Sequence, residues 1–245
     1  MSSTRLPGKV VLMLNGKTIL EHVVDRIKPS RYIKRIVLAT TRDEVDNIIE
    51  DIGVRLGLSV FRGSKSDVLN RCYEASRKFG FDPVVRVTAD DPFKDVGIID
   101  KAIEIYFHSG GKYDLVCNTL TPTFPEGMDV EIISYHALEK AARNSTQLID
   151  REHVTTYLLN HTDIFKIYNL LNTGGDLSYM RLTLDTQEDF KLVVTLCDAL
   201  CRPEHYLTMK EIVQYLLLNP HLLEINKHIK RSLRYRPAHP SCGPT

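Results

Sequence analysis

Three short apolar stretches in the first half of the chain have the pattern of buried parallel strands. Each is continuous in apolar character and rich in β-branched residues, as expected of strands covered on both faces. They span residues 36–40, 84–88 and 114–118. A fourth stretch, residues 129–133, alternates polar and apolar positions, which predicts a half-exposed strand.

Apolar positions three and four residues apart predict amphipathic helices around these strands. The predicted helices span residues 19–27, 45–56, 66–79, 98–106, 135–143, 151–160, 187–200 and 209–218. Strands that alternate with helices indicate βαβ units and an α/β, Rossmann-like fold with a mostly parallel, doubly wound sheet. Such sheets bind ligands at the carboxyl ends of their strands.

Length and composition limit the possible classes of protein. The 245 residues predict one domain, residues 1–225, followed by a basic, proline-containing tail at 226–245. No apolar run approaches the ~18 residues of a membrane span, so we expect no membrane association. The formal charge of +1 argues against a nucleic-acid partner. Five scattered cysteines favour a reducing cytoplasm, and we expect Cys197 and Cys201 to pack in the core.

The first residues combine hydroxyl groups, cations and a permissive glycine. Ser3, Arg5, Gly8 and Lys9 lie within one short segment. Backbone N–H groups and hydroxyls can hold phosphate oxygens, and the two cations suit a departing pyrophosphate. On residue types alone, an ordinary N-terminal loop with two solvated cations is the alternative. The segment is not a Walker loop, because the G-x-x-x-x-G-K-[ST] spacing is absent.

Two aspartates follow strand-like stretches and could hold a divalent cation. Asp90 ends the stretch at 84–88, and Asp185 precedes the helix at 187–200. Mg²⁺ needs only one or two protein carboxylates when substrate phosphates complete its shell. A simple turn is the alternative at Asp90, whereas Thr186 and Asp189 are accounted for as a capping box.

Five motifs in order resemble the spore-coat polysaccharide biosynthesis branch of the cytidylyltransferase family. That branch is similar to the acylneuraminate and ketodeoxyoctonate cytidylyltransferases. The motifs lie at residues 3–9, 61–69, 88–92, 151–155 and 184–189, and the resemblance extends over residues 2–225. It implies a fold of the nucleotide-diphospho-sugar transferase type and transfer of CMP from CTP to a sugar or sugar acid, with release of pyrophosphate.

The resemblance also assigns roles to single residues. It implies that Ser3, Arg5 and Lys9 hold the triphosphate and that Asp90 and Asp185 bind Mg²⁺. It leaves Asp91 without a primary role. Homodimers are common among the relatives, so a homodimer is compatible with the resemblance.

Further residues are assigned to the nucleotide and the acceptor. Arg62 and Ser64 are the expected base or ribose contacts, with a plain strand-to-helix turn as the alternative. The expected acceptor contacts are Asp129, Glu131, Arg151 and His153, with a surface helix start as the alternative for the last two. Glu126 stands where relatives carry a cation, which puts an acidic acceptor in doubt.

Two other functions remain open at this point. A metal-dependent glycosyltransferase of related fold would need an Asp-x-Asp at a strand end, whereas this chain has Asp90 and Asp91 adjacent. A non-catalytic nucleotide-binding subunit is the second alternative. It is suggested by the start at Met1, because relatives carry an apolar central strand before the phosphate loop. We therefore expect a physiological start upstream, and either a strand-wide gap between 36–40 and 84–88 or a collapse that closes it.

Overall fold

The computed structural model describes residues 5–230, so Ser3, Cys242 and most of the predicted tail lie outside the described residues. The chain opens with a hairpin, a helix and a parallel strand pair. These are β1 (Met13–Leu14), β2 (Lys17–Thr18), α1 (Ile19–Ile27), β3 (Val37–Thr41), α2 (Asn47–Arg55), β4 (Ser59–Gly63) and α3 (Val68–Phe79). Strand β4 was not predicted. It runs parallel to β3 along its whole length.

The second part of the chain adds four strands and the remaining helices. In chain order these are β5 (Val84–Arg86), α4 (Val96–His108), β6 (Leu115–Cys117), β7 (Glu131–Ile133), α5 (Tyr135–Asn144), α6 (Leu148–Glu152), α7 (Thr156–Asn160), β8 (Ile167–Asn169), α8 (Gln187–Leu200) and α9 (Met209–Leu218). The sheet order is β5-β7-β6-β8. The predicted α/β class is confirmed, with a sheet that is mixed because β7 is antiparallel to both of its neighbours.

Strand β7 is buried, so the prediction of a half-exposed strand was wrong. It lies between β5 and β6, and all three of its residues are buried. Its polar residue, Glu131, is tolerated because Arg86 on β5 forms an ion pair with one carboxylate oxygen. The Thr155 hydroxyl donates to the other oxygen over 2.6 Å. A polar position in this strand therefore marks a satisfied buried carboxylate.

The predicted helix at 151–160 is also wrong in one respect, because it is interrupted. His153 has an extended backbone (φ −112°, ψ 92°) between α6 and α7. Its carbonyl accepts the Thr156 N–H at 2.8 Å, which forms a turn. The neighbouring Val154 and Thr155 are buried, and the bond from Thr155 to Glu131 fixes this segment against β7.

Strands β3 and β5 are not paired with each other, as the expected gap requires. Among the described residues, the strand partner of β3 is β4 and that of β5 is β7. A cavity of about 730 Å³ separates the two strands, lined by residues of both together with apolar side chains of α1 and α3. Lys9 and Asp90 lie at its border. The gap thus reaches the end of the sheet where the candidate site is located.

Most of the apolar core is on the side of the sheet covered by α4, α8 and α9. A second cluster lies under α3 and α5. Within residues 5–230, no helix is both long enough and apolar enough to cross a membrane.

Candidate active site

Lys9, Asp90 and Asp185 meet at one point although they are far apart in the sequence. The Lys9 ammonium lies 2.5 Å from Asp90 Oδ2 and 2.7 Å from Asp185 Oδ1. It also donates to the Leu184 carbonyl at 2.9 Å. The two carboxylates therefore face a single positive charge, at the ends of the two segments where the sequence predicted a cation site.

The electrostatics of this cluster favour its charged forms. Burial would lower the pKa of Lys9, but the carboxylates of Asp90 and Asp185 outweigh it and raise that pKa above its ordinary value. Burial would raise the pKa of Asp185, but Lys9, Arg5 and Arg181 hold it below its ordinary value. Lys9 is thus held as an ammonium ion and Asp185 as a carboxylate.

The loop that carries Lys9 is shaped by Gly8. This glycine has φ 68° and ψ 14°, in the left-handed region, and leads into a 3₁₀ turn over Lys9–Val11. Leu6 is buried and anchors the loop. Arg5 has a half-exposed side chain and lies 3.0 Å from Asp185 Oδ2. Both cations predicted to bind the triphosphate therefore lie beside the same aspartate.

Arg181, which the sequence analysis did not single out, holds the segment that carries Asp185. Its guanidinium contacts both Asp189 oxygens at 2.9 Å, Glu126 Oε2 at 2.8 Å and Asp185 Oδ2 at 3.2 Å. The predicted capping box of α8 is confirmed, with Thr186 and Asp189 bonded reciprocally. The usable signal in the sequence was an arginine within an otherwise apolar, strand-like stretch.

Glu126 is buried, and its carboxylate forms an ion pair with Arg181. The next residue, Gly127, has φ +98°, and a Cβ there would lie 2.8 Å from the backbone at Leu182 and Thr183. Only a glycine permits that approach. The turn at Gly127, which leads from Glu126 to Asp129, is therefore packed directly against the backbone that leads into Asp185.

Arg62 and Ser64 lie in and after β4, and their polar groups are engaged within the chain. Arg62 donates to the Thr41 and Asp43 carbonyls, to Asn47 and to Glu50, at 2.6 to 2.7 Å. Ser64 Oγ accepts the Asp67 N–H at 3.1 Å. A nucleotide contact from Arg62 would have to replace some of these bonds, and both assignments stay predictions.

The four predicted acceptor contacts occupy different surroundings. Arg151 donates to the Ser145 carbonyl at 2.9 and 2.6 Å and lies 3.3 Å from Asp67. Glu131 is fully engaged by Arg86 and Thr155, as described above, whereas Asp129 and His153 are partly exposed. Arg151 is also partly exposed, so Asp129, Arg151 and His153 are all more accessible than the buried Glu131.

The donor set of the cluster suits a hard cation. Within the described residues, no group of three or more His, Cys, Asp or Glu side chains could hold a metal by itself. Two carboxylates directed at one positive charge match the limited protein contribution that Mg²⁺ takes when phosphates complete its shell. Residues Asp90 and Asp185 therefore fit a divalent ion bound together with a nucleotide.

The chain belongs to the cytidylyltransferase family, whose family model matches residues 1–229. It is 34% identical over 238 residues to the uncharacterized protein MJ1063 of Methanocaldococcus jannaschii, covering 94% of this chain and 92% of that protein. It is 31% identical to the spore coat polysaccharide biosynthesis protein SpsF of Bacillus subtilis, covering 90% and 92%. A solved cytidylyltransferase from Leptospira borgpetersenii superimposes with a TM-score of 0.87 at 31% identity, over 95% of both chains. The predicted family resemblance is confirmed.

Proposed function

We propose that this protein transfers CMP from CTP to a sugar or sugar acid and releases pyrophosphate, for the synthesis of a surface polysaccharide or other glycan. A hydroxyl oxygen of the acceptor would form the new bond to the α-phosphorus. The bond from the α-phosphorus to the oxygen that joins it to the β-phosphate would break, so that pyrophosphate leaves with that oxygen. The hydroxyl proton would pass to solvent. Membership of the cytidylyltransferase family supports this reaction.

The single observation that carries the proposal is the meeting of Lys9, Asp90 and Asp185. Lys9 and Arg5 would neutralise the β- and γ-phosphates, where negative charge accumulates as pyrophosphate departs. Their proximity to Asp185 places them beside the proposed metal ligands. Ser3 would add a hydroxyl to the same phosphate contacts.

Asp90 and Asp185 would hold the divalent cation, which we propose is Mg²⁺. When bound, the cation would neutralise phosphate charge and lower the pKa of the attacking hydroxyl. The chain would hold the two carboxylates at a fixed separation. For Asp185, the side chain of Arg181 and the bond from the Asp185 N–H to Asp189 provide this support. No dedicated general base is required by this scheme.

The acceptor would lie toward Asp129, Arg151 and His153, the partly exposed members of the predicted acceptor set. Glu131 would support that surface from behind, since it is buried and its carboxylate is bonded to Arg86 and Thr155. We further propose a cytoplasmic location, supported by the free state of the four described cysteines. A homodimer is compatible with the resemblance.

Pyrophosphate release tests the proposal. We expect release from CTP that requires Mg²⁺ and an acceptor from a panel of sugars and sugar acids. Asp90→Asn should remove most of the turnover and leave the circular dichroism spectrum unchanged, because the residue lies in a turn after β5 and is partly exposed. CTP binding without turnover across the panel would favour a non-catalytic nucleotide-binding subunit. Release of a nucleoside diphosphate from a nucleotide sugar would favour a glycosyltransferase.

A further inference from the structure

A buried ion pair lies directly behind the proposed cation site. Asp91 and Lys94 are 2% and 1% exposed, and Lys94 Nζ lies 2.9 Å from Asp91 Oδ2. Removing two charges from water is costly unless further hydrogen bonds satisfy them. The contacts of this pair therefore indicate what it stabilises.

Both oxygens of Asp91 bind hydroxyls that belong to the two metal-ligand segments. Thr88, two residues before Asp90, donates to Asp91 Oδ2 at 2.5 Å. Thr183, two residues before Asp185, donates to Asp91 Oδ1 at 2.7 Å. The Asp91 carboxylate thus connects the segment of Asp90 with the segment of Asp185. Thr183 and Asp91 are 92 residues apart in the sequence.

Lys94 extends the connection to the proposed acceptor surface. Its ammonium donates to the Asp129 carbonyl at 2.8 Å. Its own carbonyl accepts from Arg26 Nε at 2.5 Å and from the Tyr206 hydroxyl at 3.2 Å. Lys94 is thereby fixed from both ends, so the pair has a defined place relative to Asp90, Asp129 and Asp185.

We infer that Asp91 and Lys94 are positioning residues that set the separation of the Asp90 and Asp185 carboxylates, and hence the contribution of the cation to nucleotide binding. The inference rests on the proposed function. It assigns neither residue a contact with substrate. Partners behind metal ligands commonly change metal affinity or activity by ~10–100-fold when they are lost.

Thr183→Val tests the inference, because it removes the bond to Asp91 and leaves the ion pair and the side-chain shape in place. Thr40→Val is the matched control. Thr40 is equally buried and donates to Asp46 at 3.1 Å, outside the Lys9 cluster. The measurement is the Kd of CTP by calorimetry in EDTA and in Mg²⁺. The Kd in EDTA divided by the Kd in Mg²⁺ reports the contribution of the cation to CTP binding, independently of turnover.

We expect Thr183→Val to reduce that ratio by ~10-fold and to lower kcat. Its Kd for CTP in EDTA should stay at the wild-type value. Thr40→Val should lose similar stability in urea and keep the wild-type ratio. Thr183→Ser, which retains the hydroxyl, should keep the wild-type ratio as well, and it provides the test if the valine variant does not fold.

A wild-type ratio in Thr183→Val, or a lowered ratio in Thr183→Ser, would overturn the inference and leave the proposed function intact. If the Kd ratios are equal in all variants and the valine variants lose equal stability in urea, the Asp91–Lys94 pair has a purely structural role. If the wild-type protein binds CTP equally in EDTA and Mg²⁺, the proposed cation role fails, and the inference falls with it.

Discussion

Lys9 and Asp185 are 176 residues apart in the sequence, yet the Lys9 ammonium lies 2.7 Å from a carboxylate oxygen of Asp185. The same ammonium is 2.5 Å from Asp90. Lys9 therefore neutralises two carboxylates that would otherwise repel each other. A divalent cation bound by both carboxylates would therefore compete with the Lys9 ammonium for the same position.

Removal of the Lys9 charge should make the fold dependent on a divalent cation. We expect Lys9→Met to have a lower Tm than the wild type in EDTA, because Asp90 and Asp185 are left as close like charges. Mg²⁺ should raise its Tm by more than it raises that of the wild type. Lys17→Met is the control, since Lys17 forms an exposed pair with Asp25 and should change Tm little in either condition. An unchanged Tm for Lys9→Met in EDTA would contradict the prediction.

Lys9 and Arg5 should act on turnover more than on affinity. If they stabilise the departing pyrophosphate, Lys9→Ala and Arg5→Ala should each lower kcat by ~10²–10³-fold. Steady-state kinetics of pyrophosphate release with varied CTP would measure this. A wild-type kcat with a raised KM would make either residue a ground-state contact only.

The acid stability of the protein should depend on Lys9. Burial opposes ionisation of Asp185, but Lys9 and the neighbouring guanidiniums hold its pKa below the ordinary value. Its stabilising contribution is therefore present above the unfolded-state pKa of about 3.9 and is lost as pH falls through the lower folded-state pKa. Without Lys9 the folded-state pKa should rise, so Lys9→Met should unfold at a higher pH in a titration from pH 7 to 2 followed by circular dichroism. A midpoint at or below that of the wild type would count against it.

Arg181 should be among the most sensitive positions for stability. Arg181→Met would remove the guanidinium that the carboxylates of Glu126, Asp185 and Asp189 share, although Asp185 would keep its contacts with Lys9 and Arg5. Loss of one partner from a buried ion pair costs about 3–5 kcal/mol in the free energy of unfolding. Glu126→Gln should cost less, because Asp189 still pairs with the guanidinium. Urea unfolding of both variants gives the comparison, and a larger loss for Glu126→Gln would refute this ranking.

Cys201 should be the more reactive cysteine of the pair at the end of α8. Cys201 is partly exposed whereas Cys197 is buried, and the contact between the two thiols, opposed by burial, lowers the pKa of Cys201 to about 7. Alkylation by iodoacetamide should therefore rise with pH around 7, with Cys201→Ser removing the reactive site. Mass spectrometry would locate the label, and preferential labelling of Cys197 would show the assignment to be wrong.

The sequence predicted best those elements that carry their own local signals. Helices α1, α8 and α9 begin where a threonine caps the helix, at Thr18, Thr186 and Thr208, and each was predicted with its observed bounds. Strand β8 was missed, because its three residues are only partly buried and lack the continuous apolar run of a buried strand. The exposure of β7 was wrong because it depends on a partner strand, which no local pattern specifies.

The residues of the candidate site also differ in whether a local sequence signal predicts them. The meeting of Asp90 and Asp185 was predicted from strand ends at one edge of a sheet, although Asp90 lies in a turn four residues after β5 and Asp185 lies in a bend that no strand directly precedes. Arg181 and the Asp91–Lys94 pair were not predicted. Each of those buried charges is explained by partners distant in sequence, such as Glu126 for Arg181 and Thr183 for Asp91. Their importance becomes visible only once the chain is folded.

The bond between Asp91 and Thr183 also has a consequence for synthesis of the protein. Ribosomes add about 5–20 residues per second, so the segment of Asp185 follows that of Asp90 by about 5–20 s. Until then, a growing chain can hold Lys9 beside Asp90 but has no second carboxylate and no Thr183 to fix Asp91. An incomplete chain would therefore lack the proposed metal pair, and the capacity to consume CTP would arise only when the segment leading into α8 has been made and has docked.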